Sequence, residues 1–404
     1  MSPIYDFVVI GAGFAGLYAA YKLRQQHPEA NVLVLEKNSH RDVGGRVATE
    51  MFYDVRIALG AGIGREDTNP LLQRLCRDLG IELNPSHKAA VDYALKCHGN
   101  PRTWYLETVK QLRRAYRNNK QSARTETFRQ FATRVLGKES YKQFVVMSGY
   151  SDYEDADVYE TLYNYGLDDN TGGWPQLSIP WRDLTQRLIQ HIGQIRTSTE
   201  VVGISKETGG LFHIHIQGTK RPIQSRKTIQ SHKIILATAI DTTRALIHKD
   251  VYDSIHSQPF LRVYAKFDAA SSVILREYIQ HYTVVEGVLQ KIIPISPEKG
   301  VYMIAYCDNA NAVRLHNTSK SAYAMLVERA LGIPRGTLNI MGLREVFWNT
   351  GTHYYGPLPS RFHSRREFLE EAQRPMTGIL VVGEAVSRYQ GWVEGALESV
   401  EQVL

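Results

Sequence analysis

Ile4-Tyr5-Asp6-Phe7-Val8-Val9-Ile10, followed at once by Gly11-Ala12-Gly13-Phe14-Ala15-Gly16, is the stretch on which the reading of this chain turns. The apolar run Phe7 to Ile10 reads as a buried parallel strand, and Gly16 to Gln26 carries apolar residues at helical spacing. Between them the glycines fall in the pattern G-x-G-x-x-G. The first permits a tight turn, the second lets a pyrophosphate approach the backbone, and the third lets helix and strand pack closely. The helix N-terminus then presents free N–H groups and a positive dipole end to an anion.

Outward from this stretch, His27-Pro28-Glu29 ends the helix and Asn31 to Leu35 forms a second apolar strand, closed by Glu36. Glu36 lies 25 residues after Gly11, where a carboxylate can accept hydrogen bonds from both hydroxyls of a ribose. Strand, helix, strand within about 30 residues is one βαβ unit. Val43-Gly44-Gly45-Arg46 comes next, and an arginine fork fixed beside two glycines suits a diphosphate. The small residues of Leu59-Gly60-Ala61-Gly62 let backbone lie against a flat ring. Far downstream, Val381-Val382-Gly383-Glu384 leads into Gln390-Gly391-Trp392-Val393-Glu394-Gly395-Ala396, a strand, loop and helix whose N-terminus can point at an electron-rich carbonyl.

A chain of 404 residues is expected to hold two or three domains at roughly 100–200 residues each. Apolar residues at 43% and charged residues at 22% exclude a disordered or fibrous protein. Cys76, Cys97 and Cys307 are too few and too scattered for a disulfide framework or a thiolate metal site, so no metal is expected and a reducing, cytoplasmic compartment fits. The excess of 48 Lys+Arg over 41 Asp+Glu, a net +7, is far below that of a dedicated nucleic-acid binder. The longest uncharged run, Phe7 to Tyr21, has 15 residues, short of the roughly 18 of a membrane span, and lacks the basic flank of a signal peptide. A soluble, unprocessed chain without a membrane partner is the expectation.

These motifs, in this order, resemble the flavin-containing amine oxidase superfamily, which includes monoamine oxidases, polyamine oxidases, L-amino acid oxidases and lysine-specific histone demethylases. Further points of likeness are Gly172-Gly173-Trp174-Pro175-Gln176-Leu177, Val201 and Ile235-Leu236-Ala237-Thr238, so the resemblance spans nearly the whole chain. It implies an α/β fold with a discontinuous, Rossmann-like FAD-binding domain and an α+β substrate domain built from a mixed sheet and a helical insertion. The expected FAD segments are 1–68, 170–256 and 351–404; the expected substrate segments are 69–169, mostly helical, and 257–350. The implied contacts to FAD come from Gly11, Gly13, Phe14, Ala15, Gly16, Glu36, Lys37, Gly44, Gly45, Arg46, Gly60, Ala61, Gly62, Val201, Ala237, Gly383, Glu384, Gly391, Trp392, Val393 and Ala396.

The implied reaction oxidises a primary or secondary amine, including di- and polyamines, to an imine by hydride transfer to flavin N5, with O2 reduced to hydrogen peroxide. Members of the superfamily commonly place two aromatic walls beside the flavin, and these attract an ammonium through their ring quadrupoles. Trp392 falls at one wall; Tyr354 and Tyr355 are the candidates for the other. Where many members carry a lysine near N5, in a strand entering the substrate domain, this chain has Arg262, with Lys266 as the alternative should the register be off by four residues. An arginine cannot accept a proton, and it opens a second option, a substrate carboxylate as in an L-amino acid oxidase. No cysteine precedes the tyrosines, so FAD is expected to be noncovalent, with His353 as the one residue placed for a histidyl link. A desaturase or mutase would share the fingerprint but not the paired aromatics.

Two charged stretches stand apart. Lys110, Arg113, Arg114, Arg117, Lys120 and Arg124 offer a surface to nucleic acid, to anionic lipid or to an acidic partner, for which a solvated helix face is the plainer account. A flavin-loaded binding protein with weak turnover is the rival reading they support. Asp152, Glu154, Asp155, Asp157 and Glu160, set among Tyr153, Tyr159 and Tyr163, would give negative potential at the mouth of a site for an amine.

Overall fold

A computed structural model describes residues 3–95, 99–219 and 227–404; Cys97 lies outside them. Seven strands make the first sheet, in the order Thr199–Lys206, Phe212–Gly218, Lys227–Leu236, Ile4–Ile10, Val32–Leu35 and Gln194–Arg196, with Ile379–Val381 added beside the second half of Lys227–Leu236. Ile4–Ile10 pairs in parallel with both of its neighbours, as a strand buried on both faces should. Helices Phe14–Gln26, Trp181–Ile192 and Val393–Val403 cover one face through a core that includes Leu17, Leu184 and Leu397, while Ile240–Ile247 and Arg365–Gln373 cover the other through Ile240 and Phe368.

The second sheet has six strands in the order Ile340–Tyr355, Ile255–Phe267, Val301–Asp308, Lys291–Ser296, Tyr282–Val285 and Val91–Ala94. Its pairs are antiparallel except the last, which is parallel. Side chains alternate across it. Leu261, Val263 and Ala265 face the helices Ala269–Tyr278, Asn309–Leu315 and Lys320–Leu331, and Phe260 and Arg262 face the first sheet's end of the molecule. The segment 69–169 is mostly helical, packed around Tyr105, Phe128, Phe131 and Phe144. It also contributes the strand Val91–Ala94 to the second sheet, four residues whose partner Tyr282–Val285 lies far away in sequence and leaves no local mark.

Half of the basic stretch and most of the acidic one are engaged within the chain, while Arg114, Arg117 and Lys120 are exposed. Arg113 grips Asp168 at 2.6 Å and the Leu162 carbonyl at 2.9 Å, Lys110 meets Glu107, and Arg124 donates to the Phe362 carbonyl. Glu154 and Asp155 pair with Arg129, Asp157 caps the helix Val158–Tyr163, and Glu160 pairs with Arg365. Of that acidic group, Asp152 alone lies behind the site described below. Among the described residues no helix is long and apolar enough to cross a membrane.

Candidate active site

One cavity runs from the first βα turn to the inner face of the second sheet. At its first end Gly11 adopts φ +103°, and a Cβ there would lie 2.5 Å from the Ala237 carbonyl oxygen. At Gly16 a Cβ would lie 2.0 Å from the Gly11 carbonyl, which is the close helix–strand packing read from the sequence, whereas around Gly13 there is open space toward the cavity. The helix Phe14–Gln26 starts with no side-chain cap and no acidic residue in its first turn, so its N–H groups remain directed at the cavity. Glu36, buried at the end of Val32–Leu35, is fixed by the Ala12 N–H at 2.9 Å and the Asn38 N–H at 2.8 Å. All the cofactor residues inferred from the sequence line this cavity except Gly16, which packs beneath it, and Gly62, whose carbonyl accepts from Trp181 Nε1 at 2.7 Å.

Midway, three chain segments meet at Glu384. Its carboxylate accepts from Arg46 Nη1 at 2.8 Å, from the Gly391 N–H at 3.0 Å and from His353 Nδ1. Burial alone would raise the Glu384 carboxyl, but His353, Arg46 and the Gly391 amide hold it well below the usual carboxylate range. The other His353 nitrogen, Nε2, accepts from the Ile240 N–H at 3.2 Å, so both ring nitrogens are engaged in holding the framework. Arg46 also donates to the Gly351 carbonyl at 2.7 Å.

The far end is lined by side chains. Phe260, Arg262, Tyr306, Trp348 and Trp392 all border the cavity. Phe260 pairs across the strands with Trp348, and Arg262 with Tyr306 and Val346, so the sheet's alternation delivers the first four to one face. Arg262 is buried, donates to the Ala58 carbonyl at 3.2 Å, and stands 4.6 Å from the Tyr306 ring centroid. Lys266 is away from the cavity, its Nζ on the Lys299 carbonyl, and so gives way to Arg262. Trp392 is held edge-on to Trp181 at 6.2 Å between centroids, and its Nε1 donates to Asn69 Oδ1 at 3.1 Å.

Tyr354 and Tyr355 do not line the cavity, and the expectation of a wall there is corrected. Ile340–Tyr355 runs on as one strand, and its last two residues have passed the site. Tyr355 is buried in the opposite core, with its hydroxyl on the Ser387 carbonyl at 2.8 Å and its ring against Phe368; Tyr354 lies tilted against His256, 5.1 Å between ring centroids. The aromatic surfaces that share the cavity with Trp392 at this end are instead Trp348, Phe260 and Tyr306. Their signal in the sequence was the period-two placing of Phe260 and Arg262, with Tyr306 in the next strand. Arg65, whose guanidinium lies 4.7 Å from the Trp174 ring centroid and 6.0 Å from that of Trp392, carried no such signal.

Residues 14–402 match the family of flavin containing amine oxidoreductases. The chain belongs to that family. A 116-residue stretch is 30% identical to the probable flavin-containing monoamine oxidase A of Dictyostelium discoideum, an alignment covering 29% of this chain and 24% of that protein's length. Among solved structures, wild-type putrescine oxidase bound to putrescine superposes with a TM-score of 0.76 at 12% identity, over 100% of this chain and 98% of that one. Cyclohexylamine oxidase from Brevibacterium oxydans IH-35A gives 0.74 at 16% identity, over 99% and 98%. The chain therefore shares the whole fold of those enzymes. A flavin dinucleotide fits the residues present: the open ground at Gly13, the uncapped helix end and Glu36 suit its diphosphate and ribose, and Ala61 borders the cavity with a methyl group only, while Gly60 is needed for another reason, since a Cβ there would stand 1.9 Å from the Arg46 carbonyl oxygen.

Proposed function

We propose that the protein is an FAD-dependent amine oxidase, taking a primary or secondary amine to the imine, with noncovalent cofactor. The observation that carries this reading is the continuity of one cavity from the Gly11 and Glu36 end to the Arg262 and Trp392 end. Bound there, FAD supplies the acceptor for the electrons and hydrogen leaving the amine carbon, with O2 as the final oxidant and hydrogen peroxide as its product. The chain's own residues bind and orient. The helix N-terminus at Gly13 would hold the diphosphate, with Arg46 offering the donors that Glu384 and the Gly351 carbonyl leave free, and Glu36 would hold the ribose. Trp392, braced by Asn69 and Trp181, offers a fixed aromatic surface to the amine and limits the orientations it can take. Arg262 keeps its charge at working pH, so the substrate ammonium loses its proton to solvent or to another group before reaction.

The test is anaerobic bleaching of the bound flavin by a panel of amines, polyamines and amino acids, followed by admission of air and peroxide assay. Bleaching by amines and stoichiometric peroxide support the reading; a flavin that no amine bleaches sinks it. Acid precipitation should leave the flavin in the supernatant, and flavin in the pellet would overturn the noncovalent reading. Arg262 favours a second reading, an amino acid whose carboxylate it binds, and this predicts that an amino acid bleaches faster than the amine made by removing its carboxylate.

A further inference from the structure

Lys291 opens the strand Lys291–Ser296 and is wholly buried. Its stem passes Gly149, the left-handed cap of the helix Lys138–Ser148, where a Cβ would stand 3.1 Å from the lysine Cδ. Its Nζ has no hydrogen-bond partner among the described residues. It lies instead over the ring of Tyr150, 4.4 Å from the centroid of Tyr306 and 5.7 Å from that of Tyr282. The Tyr282 hydroxyl donates to that of Tyr150 at 3.3 Å, closing the ring of aromatics.

Two carboxylates stand behind these rings. Asp308 accepts from the Ser151 N–H at 3.0 Å and from Gln290 Nε2 at 3.1 Å, and Asp152 accepts from the Tyr165 hydroxyl. Burial, then the charge of Asp308, pushes the Asp152 carboxyl up to about 7. Burial pushes the Lys291 amine well below its usual range, against the pull of both carboxylates.

Aromatic faces backed by carboxylates are the surroundings that recognise an alkylammonium. Here the amine inside them is the chain's own. Tyr306 belongs to both places: it lines the flavin cavity beside Arg262, and it forms one side of the box around Lys291. We propose that the box of Tyr150, Tyr282 and Tyr306 is an ammonium site kept filled by Lys291, so that the cavity takes amines with a single amino group and refuses diamines. Lys291 is on this account the residue that sets substrate class. The inference rests on the amine-oxidising reading above and narrows it.

The experiment measures anaerobic flavin reduction by α,ω-diamines of three to six carbons, each against the monoamine of the same chain length. The wild-type protein should be reduced at least tenfold more efficiently by the monoamine of each pair. In Lys291→Ala the box is vacated, and the ratio should move at least tenfold toward the diamine for at least one chain length. In Lys291→Met, which refills the box with an uncharged stem, it should not. Wild-type protein reduced equally well by both members of each pair overturns the inference and leaves the amine reading standing. Wild-type flavin reduced by neither overturns the amine reading, and this inference with it. A flavin-loaded Lys291→Ala that monoamines reduce with an unmoved ratio also overturns it, as does a flavin-loaded Lys291→Met that no monoamine reduces, since Lys291 would then take part in the chemistry.

Discussion

The two ends of the cavity are built from different materials. At the Gly11 end the framework is backbone: a left-handed glycine and a helix N-terminus, with the Glu36 side chain itself anchored by backbone amides. At the Arg262 end they are side chains: two tryptophans, a phenylalanine, a tyrosine and a buried guanidinium carried in from separate strands and loops. A backbone cradle demands glycine at fixed spacing and tolerates almost nothing else. A side-chain wall is fixed by which strand face a residue falls on, and so can be rebuilt residue by residue. The first end should therefore fail all at once when altered and the second by degrees.

The largest effect should come from Gly11→Ala. The added methyl group meets the Ala237 carbonyl and the residue must keep φ +103°, a strain of about 1–3 kcal/mol before any loss of cofactor contact. The variant should purify colourless and melt lower than the wild type, and a yellow, fully loaded protein would break the contrast. Trp392→Ala should keep its flavin and lose about 100-fold in the rate of reduction by amine, because the helix still holds the cofactor while the substrate loses its fixed surface. Stopped-flow reduction at saturating amine decides it.

Glu384→Gln tests the join between the ends and should cost about 1.5–3 kcal/mol of stability at neutral pH, the range for buried hydrogen bonds to a charged group. The folded Glu384 is held below the ordinary glutamate value of 4.5, so its contribution is fully present above that value and is lost as pH falls toward its folded value. Urea unfolding of both proteins should thus show the gap narrowing below about pH 4.5; a gap that widens on acidification would refute the assignment. The smallest effect belongs to Tyr354→Phe, which lies off the cavity and should change flavin reduction by no more than about twofold. A larger slowing would restore it to the substrate wall.

The same contrast explains what could be read in advance. The glycine fingerprint, Glu36, the Gly44-Gly45-Arg46 turn and the Gly391-Trp392 loop are local patterns whose spacing carries their geometry, and they fall on one cavity. Trp348 and Phe260 meet only through strand pairing, across a bulge between Gln258 and Phe260 that resets the register. Tyr354 and Tyr355 were misplaced because the strand Ile340–Tyr355 continues past the site before it reaches them. Lys291 could not be read at all: a lysine at the start of a strand ordinarily looks outward to water, and only the rings of three distant tyrosines show that this one does not.

Glu384 also bears on how the molecule comes together in time. Its bond to Arg46 spans 338 residues, and the Arg46 bond to the Gly351 carbonyl spans 305. Contacts of such separation have their loop-closure entropy to meet before they repay it. The first sheet carries separations of the same kind, Ile4–Ile10 with Lys227–Leu236 and that strand with Ile379–Val381, so this seam shuts together with the sheet. A cofactor that binds across it draws the equilibrium toward the closed form by mass action. Flavin supply during synthesis should then govern how much mature protein accumulates, as well as how active it is.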